Sequence, residues 1–317
     1  MPSPLYKLQY ANWRFRTPKS SAEKLCKIPE RDQGCGIIHI KPAILYSGAK
    51  NSGKTACEVA IGQCFCDVSK LKSPKHYVLS FDGVSAETVR FTCGSPKGTV
   101  VKNFVLKMDE VEAANDIRLL KMSFDLYQRV EAYLNQIAAR KDASVITIDA
   151  LKNVNRMNER ATRFKRNYPM DKSTFKDGTF WEHRNNLSEF LFFKAYSLAR
   201  DAVQCSSYFT TRDQTDELTD TTESVKMPFF GTERIEQTIN IVLNPIARLV
   251  KKKPEYTCMV YSSKLPPLFR PMETFNVTGT FGQDGQVRIT PYMKLKPILL
   301  PRLKMYRKLK TPKVNLI

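Results

Sequence analysis

The 317-residue sequence has no apolar run of about 18 residues, which excludes a conventional membrane-spanning helix. It does not open with the pattern of a secretory signal, so we expect a cytoplasmic protein. Histidine occurs only 3 times, and no two of the 8 cysteines form a Cys-x-x-Cys pair, so a zinc site is not expected and the thiols should be reduced. Glycine (13) and proline (18) are too few for a fibrous or low-complexity chain.

Positive charge is the most pronounced compositional feature. Lys and Arg total 51 against 31 Asp and Glu, which gives a net charge of +20, while 42% hydrophobic residues suffice for a core. The segments 1–41, 152–176 and 294–313 carry nearly all of this excess, so the rest of the chain is close to neutral. A neutral body with three basic segments predicts a polyanionic partner.

One motif predicts chemistry directly. Gly48–Thr55 reads Gly-Ala-Lys-Asn-Ser-Gly-Lys-Thr and fits GxxxxGK[ST], with an apolar strand before it and a helix starting near Thr55. Such a loop turns backbone N–H groups toward phosphates, and its Lys and Thr reach the terminal phosphates and Mg²⁺. We therefore expect ATP and Mg²⁺ to bind here. The predicted nucleotide-binding residues are Gly48, Ala49, Lys50, Asn51, Ser52, Gly53, Lys54 and Thr55.

Magnesium needs a carboxylate beside the Thr55 hydroxyl. Asp149 ends the β-branched run Val145–Ile148, and the carboxyl ends of parallel strands are where such sheets bind ligands. We predict Thr55 and Asp149 as the magnesium ligands. The group that activates water stays open: Asp82, which ends another apolar run, is favoured over Glu87 and over Asp109 or Glu110.

A further strand is expected at Ser207–Thr211, next to the Asp149 strand. Its polar end is suited to sensing the γ-phosphate, with Thr211, Arg212 and Gln214 as candidates. Apolar strands alternate with helical stretches along the chain, which predicts an α/β fold with a parallel sheet. The predicted catalytic residues are Lys54, Asp82, Asp149 and Thr211.

The order of these elements resembles the RecA-like P-loop ATPases, especially the compact RecA-core recombination and annealing ATPases of phages and archaeal viruses and the RadA/KaiC group. The resemblance rests on the loop Gly48–Thr55, the strand ends at Asp82 and Asp149, and a helix opened by Trp181–Leu187. It implies a mainly parallel central sheet. The implied domains are a basic N-terminal extension (1–36), a RecA-like ATPase domain (37–264) and a basic C-terminal extension (265–317).

The family usually has a catalytic Glu shortly after its second strand, and Val84 stands at that position here. Weak turnover, or transfer of the role to Asp82, is therefore implied. Family members also bind DNA through loops after the magnesium strand and after the sensor strand. The second matching segment, 212–230, is acidic and is not carried over. The first, 152–180, is basic; its predicted nucleic-acid residues are Arg160, Arg163, Lys165, Arg166 and Lys172, with Phe164, Tyr168, Phe175, Phe180 and Trp181 available for stacking on single-stranded DNA.

The same resemblance implies a homo-oligomeric ring or filament, in which Lys264 would complete a neighbouring subunit's site. Near the C-terminus, Pro297, Pro301 and Pro312 argue against one long helix. The basic tail is expected to lie on nucleic acid, with a solubilising tail as the alternative.

Three functions remain open from the sequence. The first is a DNA-dependent ATPase of recombination or single-strand annealing, with single-stranded DNA and possible single-stranded-DNA-binding proteins as partners, in the host cytoplasm if the chain is viral. The second is a viral DNA-packaging or helicase motor. The third is a nucleotide-binding switch or scaffold with little turnover.

Overall fold

The computed structural model describes residues 41–49, 51–106, 111, 115–169, 178–208, 232–250, 253–281 and 287–309. The predicted N-terminal extension, 1–36, lies outside these residues.

A mixed sheet of eight strands forms the centre of the fold, in the order β3-β2-β4-β5-β1-β6-β7-β8. The strands from β3 to β6 in this order are parallel, and β7 and β8 are antiparallel to their neighbours. A separate antiparallel pair joins β9 and β10. The strands are β1 (Ala43–Gly48), β2 (Lys75–Ser80), β3 (Thr99–Asn103), β4 (Ala143–Asp149), β5 (Ala202–Tyr208), β6 (Ile241–Val250), β7 (Lys253–Ser263), β8 (Thr274–Asn276), β9 (Thr280–Phe281) and β10 (Val287–Ile289).

Helices cover both faces of this sheet. Successive residues of a strand point to opposite faces, and on β2 the His76 ring lies against Gly62 of α1 while Tyr77 packs edge-on against Tyr133 of α3. The predicted α/β class with a mainly parallel central sheet is confirmed. The helices are α1 (Lys54–Asp67), α2 (Ser85–Phe91), α3 (Asp116–Arg140), α4 (Leu151–Arg166), α5 (Gly178–Leu198), α6 (Glu233–Thr238) and α7 (Pro291–Leu309).

The sequence around Val89 to Cys93 and around Phe104 to Met108 consists of short apolar runs, which by themselves predict strands. The first prediction is wrong, because residues up to Phe91 belong to α2, which buries Ser85 and Val89; a short apolar run is compatible with either a helix or a strand, and the tertiary packing decides. The second run follows a strand instead of forming one, since β3 ends at Asn103.

The sequence after Asp149 is polar and basic and shows no clear period, yet α4 covers residues 151–166. Its buried positions Leu151, Val154, Met157 and Ala161 repeat every three or four residues, as one face of a helix requires. Basic residues occupy half of the other positions and obscure this pattern in the sequence.

The prediction against a long C-terminal helix is also wrong, because α7 contains both Pro297 and Pro301. Both prolines lie on the exposed side, where water can bond the carbonyls that a proline leaves free. The opposite side buries Leu295, Leu299 and Leu303, four residues apart, in the same core cluster as residues of β1 and α1. The described part of the C-terminal segment is therefore packed into the body.

Ion pairs hold α7 in place as well. Arg302 donates to both carboxylate oxygens of Glu273 at 2.7 Å, and Arg307 bonds Asp201, which also accepts from Ser69 and Ser144. Part of the positive charge assigned to a nucleic-acid-binding tail is thus neutralised within the fold. In the part of the chain that the structure describes, no helix is long and apolar enough to cross a membrane.

We predict that Leu299→Ala lowers the free energy of unfolding by about 2–5 kcal/mol, because it leaves a cavity between α7 and the core. The neighbouring Ile298 is 38% exposed, and Ile298→Ala should cost about 0.5 kcal/mol or less. Denaturant unfolding of both variants measures the difference. Equal small effects would show that α7 is not part of the packed body.

Candidate functional site

The GxxxxGK[ST] loop joins the end of β1 to the start of α1, as the motif predicted. Gly53 precedes the first helical residue with φ at +88°, a conformation that favours glycine, and its Cα faces the ring of Tyr256. A Cβ at Gly48 would stand 2.7 Å from the carbonyl oxygen of Pro245. Both glycines are therefore required for the backbone to follow this path. Lys50 lies outside the described residues.

Lys54 is turned back onto its own loop. Its Nζ donates to the carbonyl oxygens of Gly48 at 3.0 Å and Ala49 at 2.5 Å. Burial lowers the pKa of Lys54, and the charges of Glu58, Asp149 and Asp82 oppose that shift. The ammonium thus occupies the mouth of the loop, where its motif places it against phosphate oxygens.

The structure brings together the two predicted magnesium ligands. Thr55 Oγ1 donates to Asp149 Oδ2 at 3.2 Å, although 94 residues separate the two in sequence. Strands β1 and β4 are not neighbours; β5 lies between them, and the first turn of α1 reaches across it to the end of β4. A hydroxyl and a carboxylate are hard oxygen donors of the kind that Mg²⁺ prefers, so the residues present fit this ion.

Hydroxyl groups surround the Asp149 carboxylate. Besides Thr55, the side chains of Ser85 and Ser206 donate to its two oxygens. Burial raises the pKa of Asp149, and the charge of Asp82 raises it further, whereas the hydrogen bonds from Ser206, Ser85 and Thr55 lower it. The carboxylate is therefore oriented by three donors before any ligand arrives.

Asp82, the favoured water-activating residue, lies beside this site. Its Oδ1 accepts from Ser80 and from the Val84 backbone, both at 3.1 Å, and lies 3.2 Å from the Ser85 hydroxyl, whose proton is donated to Asp149. One of its oxygens is thus engaged in holding the turn before α2. Glu87 and Val84 are exposed, while Asp109 and Glu110 lie outside the described residues.

The two serines that hold Asp149, Ser85 and Ser206, are not predicted by any sequence motif. Ser206 is on β5, and its hydroxyl also accepts from the backbone N–H of Ala150 at 3.0 Å. Ala150 has φ at +65°, so this bond stabilises a left-handed turn at a residue that is not glycine. In the sequence, Ser206 is one serine in an apolar strand and Ser85 is one serine at the start of a helix. Neither can be related to Asp149 until the order of the strands in the sheet is known.

The predicted nucleic-acid residues separate into two groups. Lys165 and Arg166 are exposed at the end of α4 and Arg160 is partly exposed. Arg163 is only 4% exposed, donates to the Pro169 carbonyl and lies over the Phe180 ring, so it stabilises the fold and does not suit a nucleic-acid contact. Lys172 lies outside the described residues.

Of the aromatic residues expected to stack on bases, Phe180 is buried, and Phe164, Tyr168 and Trp181 are partly exposed. Phe180 is fully buried between Tyr168 and Trp181, and Phe164 packs on Phe124 with ring centroids 5.5 Å apart. The Tyr168 hydroxyl is hydrogen-bonded to His183 Nδ1 at 2.9 Å. Phe180 is therefore not available for stacking. Phe175 lies outside the described residues.

Two further predictions concern the sensor strand and Lys264. The strand predicted at Ser207–Thr211 overlaps only the end of β5, which begins at Ala202 and pairs with β4 as predicted. Thr211, Arg212 and Gln214 lie outside the described residues. Lys264 is exposed and follows Ser263, which pairs with Ile241 at the start of β6. It thus lies at the sheet edge opposite the loop, away from the candidate nucleotide site of its own chain.

No protein-family model matches this chain, and no curated protein matches it. Among solved structures, it is similar to the KaiC-like protein PH0186 from the hyperthermophilic archaeon Pyrococcus horikoshii OT3. The two chains are 9% identical, and the match covers 79% of this chain and 90% of that chain with a TM-score of 0.36. A similarity of this size carries no argument about function.

The geometry distinguishes the two carboxylates by role. We predict that Asp149→Asn removes the Mg²⁺ dependence of nucleotide binding, because Thr55 and Asp149 are the predicted ligands, whereas Asp82→Asn leaves it in place. Titration calorimetry with ATP, with and without Mg²⁺, measures this for both variants. An Asp149→Asn protein that retains the full Mg²⁺ effect would contradict the assignment.

Proposed function

We propose that this protein is an ATP- and Mg²⁺-dependent P-loop ATPase that acts on nucleic acid, with single-stranded DNA as its substrate. The observation that carries the proposal is the contact between Thr55 and Asp149 at the mouth of the glycine loop. Loop, ammonium, hydroxyl and carboxylate together supply the groups that bind a nucleoside triphosphate with its metal ion. The chemistry that bound Mg²⁺ supplies is neutralisation of charge on the phosphates.

Turnover depends on Asp82 in this proposal. Its position beside Asp149 suits a group that orients or deprotonates water, and its other oxygen is available for that purpose. The engagement of Oδ1 in the turn favours slow hydrolysis over fast hydrolysis. A nucleotide-binding switch with little turnover is the second candidate for the same reason, and a fast packaging or helicase motor is supported less.

A basic stripe on α4 supports the nucleic-acid partner. We define the stripe as Lys152, Arg156 and Arg160, which lie four residues apart and so follow one another along one side of the helix. Arg156 and Arg160, with Glu159 between them, line a cavity of about 330 Å³. The stripe begins three residues after Asp149, so the partner would contact the element that directly follows the magnesium carboxylate.

We propose recombination or annealing as the biological role, and assembly into a ring or filament, on the basis of the RecA-like resemblance alone.

Phosphate release from ATP tests the activity itself. We expect slow release by the wild type that single-stranded DNA stimulates, and a loss of about 100-fold or more in Lys54→Ala, which removes the charge facing the phosphates. Duplex DNA and single-stranded RNA serve as comparison substrates. Release that Lys54→Ala leaves unchanged would refute the proposal, and stoichiometric ATP binding without release would select the switch.

The salt dependence of binding tests the DNA surface. We expect Lys165→Ala/Arg166→Ala and Arg156→Ala/Arg160→Ala each to reduce the slope of log K against log salt by about 1.4, because each lost phosphate contact on a single strand contributes about 0.7. Lys72→Ala/Arg200→Ala is the matched control, since both residues are exposed at the opposite sheet edge. Slopes equal to the control's would contradict a DNA-binding role for α4.

A further inference from the structure

The hairpin of β6 and β7 borders the phosphate loop on the side away from Asp149. In the sheet, β4 lies two strands from β1 on one side, and β7 lies two strands from β1 on the other. A Cβ at Gly48 would meet the Pro245 carbonyl of β6, and a Cβ at Gly53 would stand 3.1 Å from the Tyr256 ring of β7. The hairpin therefore lies directly against both glycines of the loop.

One face of this hairpin is apolar. Residues paired across two strands share a face, and successive residues of one strand alternate between faces. Four apolar residues, paired two by two, form what we call the apolar face: Ala247 with Tyr256, and Leu249 with Pro254. The charged pair Arg248 and Glu255 lies on the other face. Because the Tyr256 ring meets Gly53, the apolar face is the one turned toward the loop.

Tyr256 is held in a fixed position beside the loop. Its backbone N–H donates to Thr278 Oγ1 at 2.8 Å, and its carbonyl oxygen accepts from the Thr278 hydroxyl at 3.2 Å and from the Val277 N–H at 2.9 Å. The ring packs against the core cluster of α1 and α7 and remains partly exposed. A flat ligand group that meets this ring therefore orders little of the protein when it binds.

The charges of the site determine which end of a nucleotide lies on the hairpin side. Thr55, Asp149 and Asp82 lie toward β4 and β2, so the metal ion and the terminal phosphates belong on that side of the loop. The nucleoside end of the ligand then leaves the loop in the opposite direction, toward β6 and β7. The first side chain of the hairpin beside the loop on that path is Tyr256.

We propose that the base of the bound nucleotide stacks on the Tyr256 ring and that Leu249 extends the contact along the apolar face. Leu249 is 79% exposed and lies diagonally across the strand pair from Tyr256, at about 7–8 Å. A base lying along this face covers both side chains, which removes apolar surface from water. Stacking on a ring suits any base, because every base has a π-face. This role rests on the proposed function.

Equilibrium binding of ATP and of inorganic tripolyphosphate, which lacks the nucleoside, tests the proposal in the presence of Mg²⁺. We expect Tyr256→Ala to weaken ATP binding about tenfold or more, as the loss of a base–aromatic stack does, and to leave tripolyphosphate binding unchanged. Tyr256→Phe keeps the ring and should bind ATP within about twofold of the wild type. Equal losses for both ligands in Tyr256→Ala would show that the ring only supports Gly53 and would overturn the proposal, as would a Tyr256→Phe protein as impaired as Tyr256→Ala.

A matched pair of variants tests the apolar face farther along the hairpin. Leu249 and Val250 are adjacent, both exposed and apolar, and they lie on opposite faces. We expect Leu249→Ala to weaken ATP binding about threefold, because the base then covers less apolar surface. Val250→Ala should bind ATP as the wild type does, and neither change should affect tripolyphosphate. Substitutions at such exposed positions leave the fold intact.

The outcomes distinguish this proposal from the proposed function. A wild-type protein that binds ATP no more tightly than tripolyphosphate would overturn the base site while leaving the phosphate site intact. A wild-type protein that binds neither ligand would instead overturn the proposed function. If Tyr256→Ala does not fold, equal ATP affinities of Leu249→Ala and Val250→Ala overturn the proposal.

Discussion

The hydrogen bond from Ser206 to Asp149 is the contact on which the candidate site depends. Strand β5 lies between β1 and β4, so the loop and the magnesium carboxylate are held a fixed distance apart by a strand that belongs to neither. Ser206 on this strand holds both the Asp149 side chain and the Ala150 backbone. Only one strand separates β1 from β4, and neighbouring strands lie about 4.8 Å apart. The first turn of α1 can therefore extend over β5 and bring Thr55 to Asp149. The distance between Thr55 and Asp149 is therefore determined by the order of the strands in the sheet.

Negative charge is concentrated around one ammonium group in this arrangement. Asp82, Asp149 and Glu58 all interact with Lys54 in a region of low solvent exposure, where like charges repel strongly. Burial raises the pKa of both Asp149 and Glu58, and three hydroxyl donors oppose that shift at Asp149. A divalent cation would relieve the remaining repulsion.

Local sequence signals predicted the local parts of this structure well. The eight-residue motif with its flanking strand and helix located the loop, and the β-branched run before Asp149 located the second ligand. Ser206 was missed because its role arises from a pairing with Asp149 across more than 50 residues, which no window along the chain contains. The prolines of α7 misled for a related reason: their cost is local, whereas the burial of Leu295, Leu299 and Leu303 that offsets it is tertiary. Arg163 likewise could not be distinguished as a buried residue from its exposed neighbours until it was known which side of α4 packs against the body.

If the protein acts on nucleic acid as proposed, the link between nucleotide and nucleic acid lies in the first turn of α4. Ala150 adopts a left-handed conformation that costs roughly 1–2 kcal/mol, and it persists because Ser206 accepts its N–H. Asn153, one turn on, donates to the Phe81 carbonyl at 2.7 Å, directly before Asp82. The start of α4 is thus tied to the ends of both β4 and β2, which carry the two carboxylates of the site. Any change in those carboxylates that moves their strand ends must move α4 with them, and the basic stripe lies along that helix. Coupling between the two ligands then requires only a small displacement of one rigid helix.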